Sequence, residues 1–457
     1  MSCSTKIHKS LNKPQIIESI PILRKPKAKV WIEAYGCSAS MADSEMISGL
    51  LKNAGYEITN NQSESALNFI VTCSVKDTTE HRMVSRITAM TKSGKPLIIA
   101  GCLPKADREK VETLNSSATL LGPNSIDKAP DAARLAIAGT KLVALEDSSV
   151  DKLNLPRVRL NAVVSIIEIA SGCMSRCSFC QTKIAKGWLR SYRIGDIVRQ
   201  IKTDIQSGCK EVGLSSTDNG CYGRDIGTNL VELLHACCSI EGSFKIRLGM
   251  MNPMYLPHIL DDMVALFHRN DKIFKFLHIP VQSGSDRILK KMKRGHSAKT
   301  FNDVVQAFRD KIPEITICTD IIVGFPSETD KDFKETLDLV ARSKPDIVNI
   351  SRYGARPGTE AYIWKGIRIK SQVSKKRSES LHTLATRIAA ERNSLWQGWQ
   401  GEIIIDEIGK VAQGRNYAYK PVVISSSADR RLGEKIYVRV HDFSKFSLKA
   451  NVILQAS

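Results

Sequence analysis

The sequence predicts an α/β protein built as three successive units: a small doubly wound parallel sheet, a central partial (β/α)6 barrel and a small antiparallel β-barrel. Three observations predict this. Strand-like apolar runs alternate with helical stretches between residues 29 and 145. The same rhythm restarts with longer helices after the charged stretch Glu146 to Arg159. Residues 400–457 then change to alternating β-branched patterns broken by Gly and Ser turns. A chain of 457 residues is too long for one ordinary domain. The expected division is a flexible basic arm over 1–28, then units over 29–145, 160–396 and 400–457.

Composition narrows the class. The hydrophobic fraction of 42% and charged fraction of 25% are ordinary for a soluble globular protein, and no apolar run is long enough for a membrane span. The first residues are basic and lack the apolar core of a secretory signal, so a cytoplasmic location is expected. In that compartment the twelve cysteines stay reduced, which favours metal or catalytic use over disulfides. A net charge of +20 favours a polyanionic partner such as RNA, with a well-solvated surface as the alternative.

In the first unit the predicted strands are Val30 to Tyr35, Tyr56 to Thr59, Leu67 to Val71 and Pro96 to Ala100. Predicted helices cover Asp43 to Asn53, Asp77 to Met90, Asp107 to Leu114 and Asp131 to Ala138. Three strands end on a cysteine: Cys37, Cys73 and Cys102. In a parallel sheet those ends lie side by side where open α/β sheets bind ligands, so the thiols are expected to converge. Three unrelated buried cysteines are the alternative.

The second unit opens on the strand Val163 to Ile169, followed by Cys173, Cys177 and Cys180 at CxxxCxxC spacing. Three thiolates in a loop suit a soft iron–sulfur cluster with one iron left open. A zinc site is the alternative, but it needs a fourth ligand, and neither Cys209 nor His235 stands in a knuckle pattern. Further strands are predicted at Glu211 to Ser216, Lys245 to Gly249, Phe276 to Val281, Thr316 to Val323 and Asp346 to Ile350. Six βα units are too few for a closed eight-fold barrel, and such barrels place their sites at the C-terminal strand ends. That rule selects Thr217, Asp218, Asn252, Gln282, Asp320, Gly324, Arg352 and Tyr353. Ser327 is the expected cap of the helix after Gly324. Cys3, Cys209, Cys221, Cys237, Cys238 and Cys318 have no ligand spacing and are expected to pack as small hydrophobes.

A helix is predicted over Arg377 to Trp396, then strands Glu402 to Ile405, Tyr417 to Ile424, Lys435 to Val440 and Phe446 to Ile453. Lys410, Arg415, Lys420, Arg430, Arg431 and Arg439, interleaved with Tyr417, Tyr419 and Tyr437, suit phosphate contact and base stacking. A solvated basic face is the alternative.

The CxxxCxxC loop, with Phe179 before its last cysteine, resembles the signature of the radical S-adenosylmethionine (SAM) enzymes. With the three N-terminal strand-end cysteines and the basic terminal β module, known as TRAM, the chain resembles the methylthiotransferases of that superfamily. The segments GCMSRCSFCQTKIAKGWLRSY, FLHIPVQSGSD and TDIIVGFPSETD look most like the archaeal and eukaryotic branch that modifies N6-threonylcarbamoyladenosine beside the tRNA anticodon. The resemblance implies two [4Fe-4S] clusters, one on Cys173, Cys177 and Cys180 and an auxiliary one on Cys37, Cys73 and Cys102. It further implies S-adenosylmethionine as radical source and methyl donor, with Phe179, Thr217, Asp218, Gln282 and Gly324 as candidate cofactor contacts. The implied partners are a tRNA anticodon stem-loop, an electron donor and a sulfur donor. Two positions depart from the family pattern: Ser327 stands where Gly is usual and Ser40 where Asn is usual.

The implied reaction replaces hydrogen on carbon 2 of an adenine, a position that acid–base groups cannot functionalise, so a cofactor must carry the step. Alternatives are an isopentenyladenosine or ribosomal-protein substrate, or a noncatalytic RNA-binding protein stabilised by metal. Open three-cysteine sets count against the last, because structural metal sites are closed.

Overall fold

The structure is a computed structural model that describes residues 28–74, 77–148, 150–424 and 430–453. The basic arm expected over 1–28 therefore lies almost entirely outside the described residues, as does Cys3.

The N-terminal unit carries β1 (Lys29–Ala34), β2 (Glu57–Thr59), β3 (Leu67–Thr72), β4 (Leu97–Gly101), β5 (Thr119–Leu121) and β6 (Val143–Ala144). All pairings are parallel, in the order β2-β1-β3-β4-β5-β6. Every residue of β3 is buried, as expected for a parallel strand covered on both faces. One core, around Met46, Leu51, Phe69 and Val71, fills one face; another, around Ile70, Ile87, Ile99 and Leu120, fills the opposite one. Strand order reverses between β1 and β3, where ligands of open α/β sheets bind. The first helix spans Ser38–Asn53 and starts five residues before the predicted Asp43, because Cys37 itself occupies its N-cap position. The short strands β5 and β6 and the helix Cys102–Ala106 were not foreseen.

The central unit contains β7 (Val164–Ser171), β8 (Arg190–Ser191), β9 (Glu211–Ser216), β10 (Lys245–Leu248), β11 (Phe276–His278), β12 (Thr316–Val323) and β13 (Ile347–Arg352). They form sheets β8-β7-β9-β10 and β11-β12-β13, joined by the bond from the Phe274 amide to the Ile246 carbonyl at 3.0 Å. The predicted six parallel strands are thus present in chain order, with β8 added antiparallel to β7. One core running from Leu153 to Ile388 holds them against their helices.

The linker expected over Glu146 to Arg159 is more than polar spacer. Its Lys152 is buried, with Nζ 2.6 Å from Asp43 and 3.1 Å from Glu168, and Lys186 lies 2.6 Å from the other oxygen of Glu168. Each of these four residues is 2–4% exposed. Two anions and two cations buried together compensate one another, whereas removing one would leave an unpaired charge in the seam between the two sheets.

The helix Ser371–Ser394 begins six residues before its predicted start. It leads to a closed barrel of β14 (Gln400–Ile408), β15 (Ala412–Arg415), β16 (Pro421–Ile424), β17 (Lys435–Phe443) and β18 (Leu448–Val452), ordered β14-β15-β16-β18-β17. Four pairings are antiparallel; the parallel pair β16–β18 closes the barrel. The strand expected from Tyr417 begins only at Pro421, since Tyr419 sits in a turn at φ +60°.

This barrel docks on the N-terminal strand ends of the central unit, which corrects its expected basic, base-stacking face. Lys420 is 4% exposed and reaches Asp346, just before β13, at 2.8 Å. Tyr419 donates to Glu211 at the start of β9 (2.8 Å) and packs on Phe274 and Phe276. Arg415 is held by Asp406 at 2.9 Å and lies over the Tyr419 ring. Tyr417 packs against Trp396 and Trp399, and its carbonyl accepts from the Lys275 amide at 2.8 Å. Three of the nine residues expected to meet RNA, Tyr417, Tyr419 and Lys420, therefore join the two units, and Arg415 is held inside the barrel; Lys410, Arg431 and Arg439 remain exposed.

Candidate functional site

The first cysteine set follows directly from the sheet. Cys37 ends the loop after β1, Cys73 follows β3 and Cys102 follows β4, so they sit on three adjacent strands at the switch point. Gly36 (φ +117°) and Gly101 (φ +94°) allow this closeness: a Cβ on Gly36 would lie 2.3 Å from the Cys73 Cβ, and one on Gly101 2.3 Å from the Thr72 carbonyl oxygen. The Cys37 thiol is held well below its usual pKa by its hydrogen bond with Cys73, against the effect of burial and with help from the Lys186 cation. Burial instead pushes Cys102 up to about 12. Ser40 lies with its Oγ 3.7 Å from the Cys37 sulfur, so the departure at that position stays beside the set.

The second set is presented by the loop after β7. Gly172, at φ +74°, is needed because a Cβ there would stand 2.0 Å from the Trp188 carbonyl oxygen. The Cys173 amide donates to the Gly187 carbonyl at 3.3 Å, and the Ser175 amide to the Cys173 sulfur at 3.3 Å. From the far side, Arg294 donates to the Cys177 sulfur at 3.4 Å, and the Ser178 hydroxyl donates to the Lys291 carbonyl at 2.8 Å. The helix Thr182–Lys186 follows and packs on Cys102–Ala106, while Gln181 donates to the Ala106 carbonyl at 3.3 Å. The two cysteine sets are thereby tied together.

A cavity of about 140 Å³ reaches the second set at Cys180 and comes as near the first as Ser74, the residue after Cys73. Its lining includes Cys180 and Phe179 from the second loop and Ser74, the neighbour of Cys73, from the first sheet. Gln282, Asp320, Arg352 and Tyr353 complete the predicted part of the lining. Gln282 adopts φ +76°, a left-handed conformation costly for a non-glycine residue, and its amide donates to the Asp320 carbonyl at 2.8 Å. The Ser74 and Tyr353 hydroxyls are buried without a hydrogen-bond partner among the described residues. Arg352 is exposed at the mouth, and its side chain forms no ion pair or hydrogen bond among the described residues.

Other predicted residues lie elsewhere. Asp218 is buried beneath the second cysteine loop, where it accepts from the Gly220 and Asn252 amides at 3.0 Å each. Burial, then the nearby Cys173, pushes its carboxyl up to about 7. Asn252 belongs to the same supporting layer, and neither it nor Thr217 lines the cavity. Gly324 is also outside the lining: its freedom is used by the helix Ser371–Ser394, whose Ser374 Oγ would lie 2.1 Å from a Cβ there. The helix Asp330–Ser343 is capped by Thr329 with Asp332 in a capping box, not by Ser327. Ser327 instead occupies a turn at φ +67°, which explains why glycine would suit that position.

Two cysteines assigned to packing have neighbours of chemical interest. Cys173, Asp218 and Cys221 place one ligand atom each within 4.8 Å of one another. The hydrogen bond from Cys221 lowers the Cys173 thiol to about 6, against burial. Cys318 lies beside His278 and accepts from Asn349 at 3.6 Å, while Asp320 binds His278 at 3.1 Å and Asn349 at 2.7 Å. Burial opposes a charge on His278, but Asp320 and Cys318 hold its pKa up at about 10. Neither Cys221 nor His278 has spacing to announce it, and Asn349, in the middle of β13, falls outside the strand-end rule. Two groups of three soft thiol donors, one at three adjacent strand ends and one on a single loop, are the donor type that suits iron–sulfur clusters.

A family model described as the radical SAM superfamily matches residues 167–340, and one described as the uncharacterized protein family UPF0004 matches residues 29–122. A probable threonylcarbamoyladenosine tRNA methylthiotransferase of Pyrococcus abyssi is 40% identical over 89% of this chain and 96% of its own length. The human threonylcarbamoyladenosine tRNA methylthiotransferase is 33% identical over 97% of this chain and 77% of its own. Among solved structures, a radical S-adenosylmethionine methyltransferase from Kitasatospora setae superposes with a TM-score of 0.54 at 13% identity, covering 74% of this chain and 75% of its own, a likeness of fold. The superfamily implies S-adenosylmethionine and a [4Fe-4S] cluster. With an enzyme domain matched and relatives spanning nearly the whole chain, the protein belongs to the radical SAM methylthiotransferases, in the branch of the archaeal and eukaryotic threonylcarbamoyladenosine enzymes.

Proposed function

We propose that the protein methylthiolates carbon 2 of N6-threonylcarbamoyladenosine beside the anticodon of tRNA, with Cys173, Cys177 and Cys180 holding the radical cluster and Cys37, Cys73 and Cys102 an auxiliary one. The observation that carries this is the single cavity lined both by Cys180 and by the neighbour of Cys73. When bound, the clusters and S-adenosylmethionine supply the radical, the sulfur and the methyl group. The chain's own residues do the rest. The two segments bring Cys180 and the residue after Cys73 to one small volume, which turns a meeting of reactants into a matter of position. Phe179 and Tyr353 wall the cavity, and Arg352 offers a cation to a carboxylate at its mouth. The unpartnered hydroxyls of Ser74 and Tyr353 offer hydrogen bonds to a hydroxyl or ureido group. An isopentenyl group would leave these buried groups unsatisfied, at about 1–3 kcal/mol each on protein scales.

An electron donor and a sulfur donor complete the reaction, and the cytosol is the proposed place; among the described residues no helix is long and apolar enough to cross a membrane. Exposed Lys410, Arg431 and Arg439 are the proposed phosphate contacts of the terminal, TRAM-like barrel. The test supplies reconstituted protein with tRNAs bearing either modification and analyses the digested nucleosides by mass spectrometry. The methylthio derivative of the threonylcarbamoyl nucleoside alone is expected. Methylthiolation of the isopentenyl nucleoside alone overturns the substrate.

A further inference from the structure

We propose that Trp188, with Arg176 and Lys183 beside it, is a stacking platform for an unpaired base flanking the target adenosine. This rests on the tRNA reading above and adds to it a surface outside the cavity. Trp188 is 61% exposed, an unusual position for the side chain with the most apolar area to bury. It is not a loose side chain on a loose loop. Its carbonyl oxygen is pressed against Gly172, and the preceding Gly187 carbonyl accepts from the Cys173 amide at 3.3 Å. The Trp188 backbone therefore keeps a set place next to the second cysteine loop, and the two cations of that stretch flank its indole.

The neighbours decide the kind of partner. Lys183 Nζ lies over the indole, 3.5 Å from the ring centroid, and donates to the Cys173 carbonyl, while Arg176 Cζ lies over the same ring at 5.2 Å; both come from the cysteine loop and the helix that follows. Met174 and Ile184 of the same stretch are 40% and 37% exposed. An apolar peptide would gain from the indole but would have to desolvate two cations. An unpaired nucleotide matches both parts: its base stacks on the outer arginine plane, itself layered on the indole, or replaces a cation on the ring as that cation turns to the phosphate. With a chain charge of +20, a polyanion is also the partner that arrives fastest. Trp188 does not line the cavity but stands beside the loop whose Cys180 does, so the stacked base is assigned to a nucleotide other than the inserted one, on the same side of the loop.

The test measures binding of an anticodon stem-loop RNA to cluster-loaded protein by fluorescence anisotropy across a salt series. Trp188→Ala should raise Kd about tenfold with an unchanged salt slope, near the low end of what one stacked base contributes. Trp188→Phe, which keeps an aromatic face, should recover most of that loss. Equal iron content and Tm would show that neither variant has lost its fold. If the wild-type protein binds the stem-loop and Trp188→Ala binds it within twofold, the platform is refuted while the tRNA reading stands. An equal loss with a fully paired RNA duplex would also refute stacking on an unpaired base. Failure of the wild-type protein to bind the stem-loop would sink both.

Discussion

Replacing Lys420 with Met should loosen the terminal barrel from the central unit. Lys420 Nζ lies 2.8 Å from Asp346, whose side chain is fully buried. Removing one partner of a buried pair costs about 3–5 kcal/mol, because the remaining charge is left without compensation. Asp346 would still keep Arg392 at 3.0 Å, Arg309 at 3.5 Å and the Ile317 amide at 2.9 Å. The loss therefore belongs at the low end, about 3 kcal/mol, or roughly 10²-fold in the docking equilibrium. The Lys275 amide reports it directly, since it donates to the Tyr417 carbonyl across the seam. Hydrogen exchange of that amide should speed up by about the same factor in Lys420→Met and stay unchanged in Lys410→Ala, an exposed position on the same barrel. Exchange within twofold of wild type in Lys420→Met would refute the assignment of Lys420 to docking. The same contacts make deletion of residues 400–457 a poor test of RNA binding, because it would also bare Phe274 and Phe276 and strip Asp346 of a cation.

Changing Cys173, Cys177 or Cys180 to Ala should abolish 5′-deoxyadenosine formation; normal cleavage would overturn the radical-cluster assignment. Changing Cys37, Cys73 and Cys102 together to Ala should leave that cleavage measurable, remove the methylthio product and lower iron from about eight to about four per chain; retained product would exclude the auxiliary site. Gln282→Gly relieves a positive φ, so thermal unfolding should show stability unchanged or raised by up to about 1 kcal/mol while methylthiolation falls. A loss above about 1 kcal/mol would make the side chain structural. Burial acts against Glu168, but Lys152 and Lys186 hold its pKa down to about 2 from 4.5. Its contribution, about 3 kcal/mol, is present above pH 4.5 and lost as pH falls toward 2, whereas Asp43, raised by burial, acts in the opposite sense. The melting temperature followed by circular dichroism should therefore depend less on pH across that window in Glu168→Gln; superimposable profiles would refute the charge assignment.

Local pattern determined a great deal. The strands bearing Cys37, Cys73, Cys102 and the CxxxCxxC loop were legible because alternation and turn residues act over a few neighbours, and a parallel sheet then brings successive strand ends together. The same logic placed Gln282, Asp320, Arg352 and Tyr353 on one cavity. What periodicity could not express was the partner across a seam. Lys152 reads as a linker charge and Lys420 as a surface one, yet both are buried because carboxylates from distant segments meet them. Tyr419 and Arg415 look like a nucleic-acid face until the start of β9 and the Phe274–Phe276 segment come to rest on Tyr419, whose ring in turn lies against Arg415. Cys221 and His278 carry no spacing signal, and only packing sets them beside Cys173 and Asp320. Gly324 shows the limit most plainly: a glycine at a strand end suits a ligand or a neighbouring helix equally well, and here Ser374 of a helix fifty residues away, in round figures, takes the space. Burial is a property of two surfaces, and one sequence segment describes only its own.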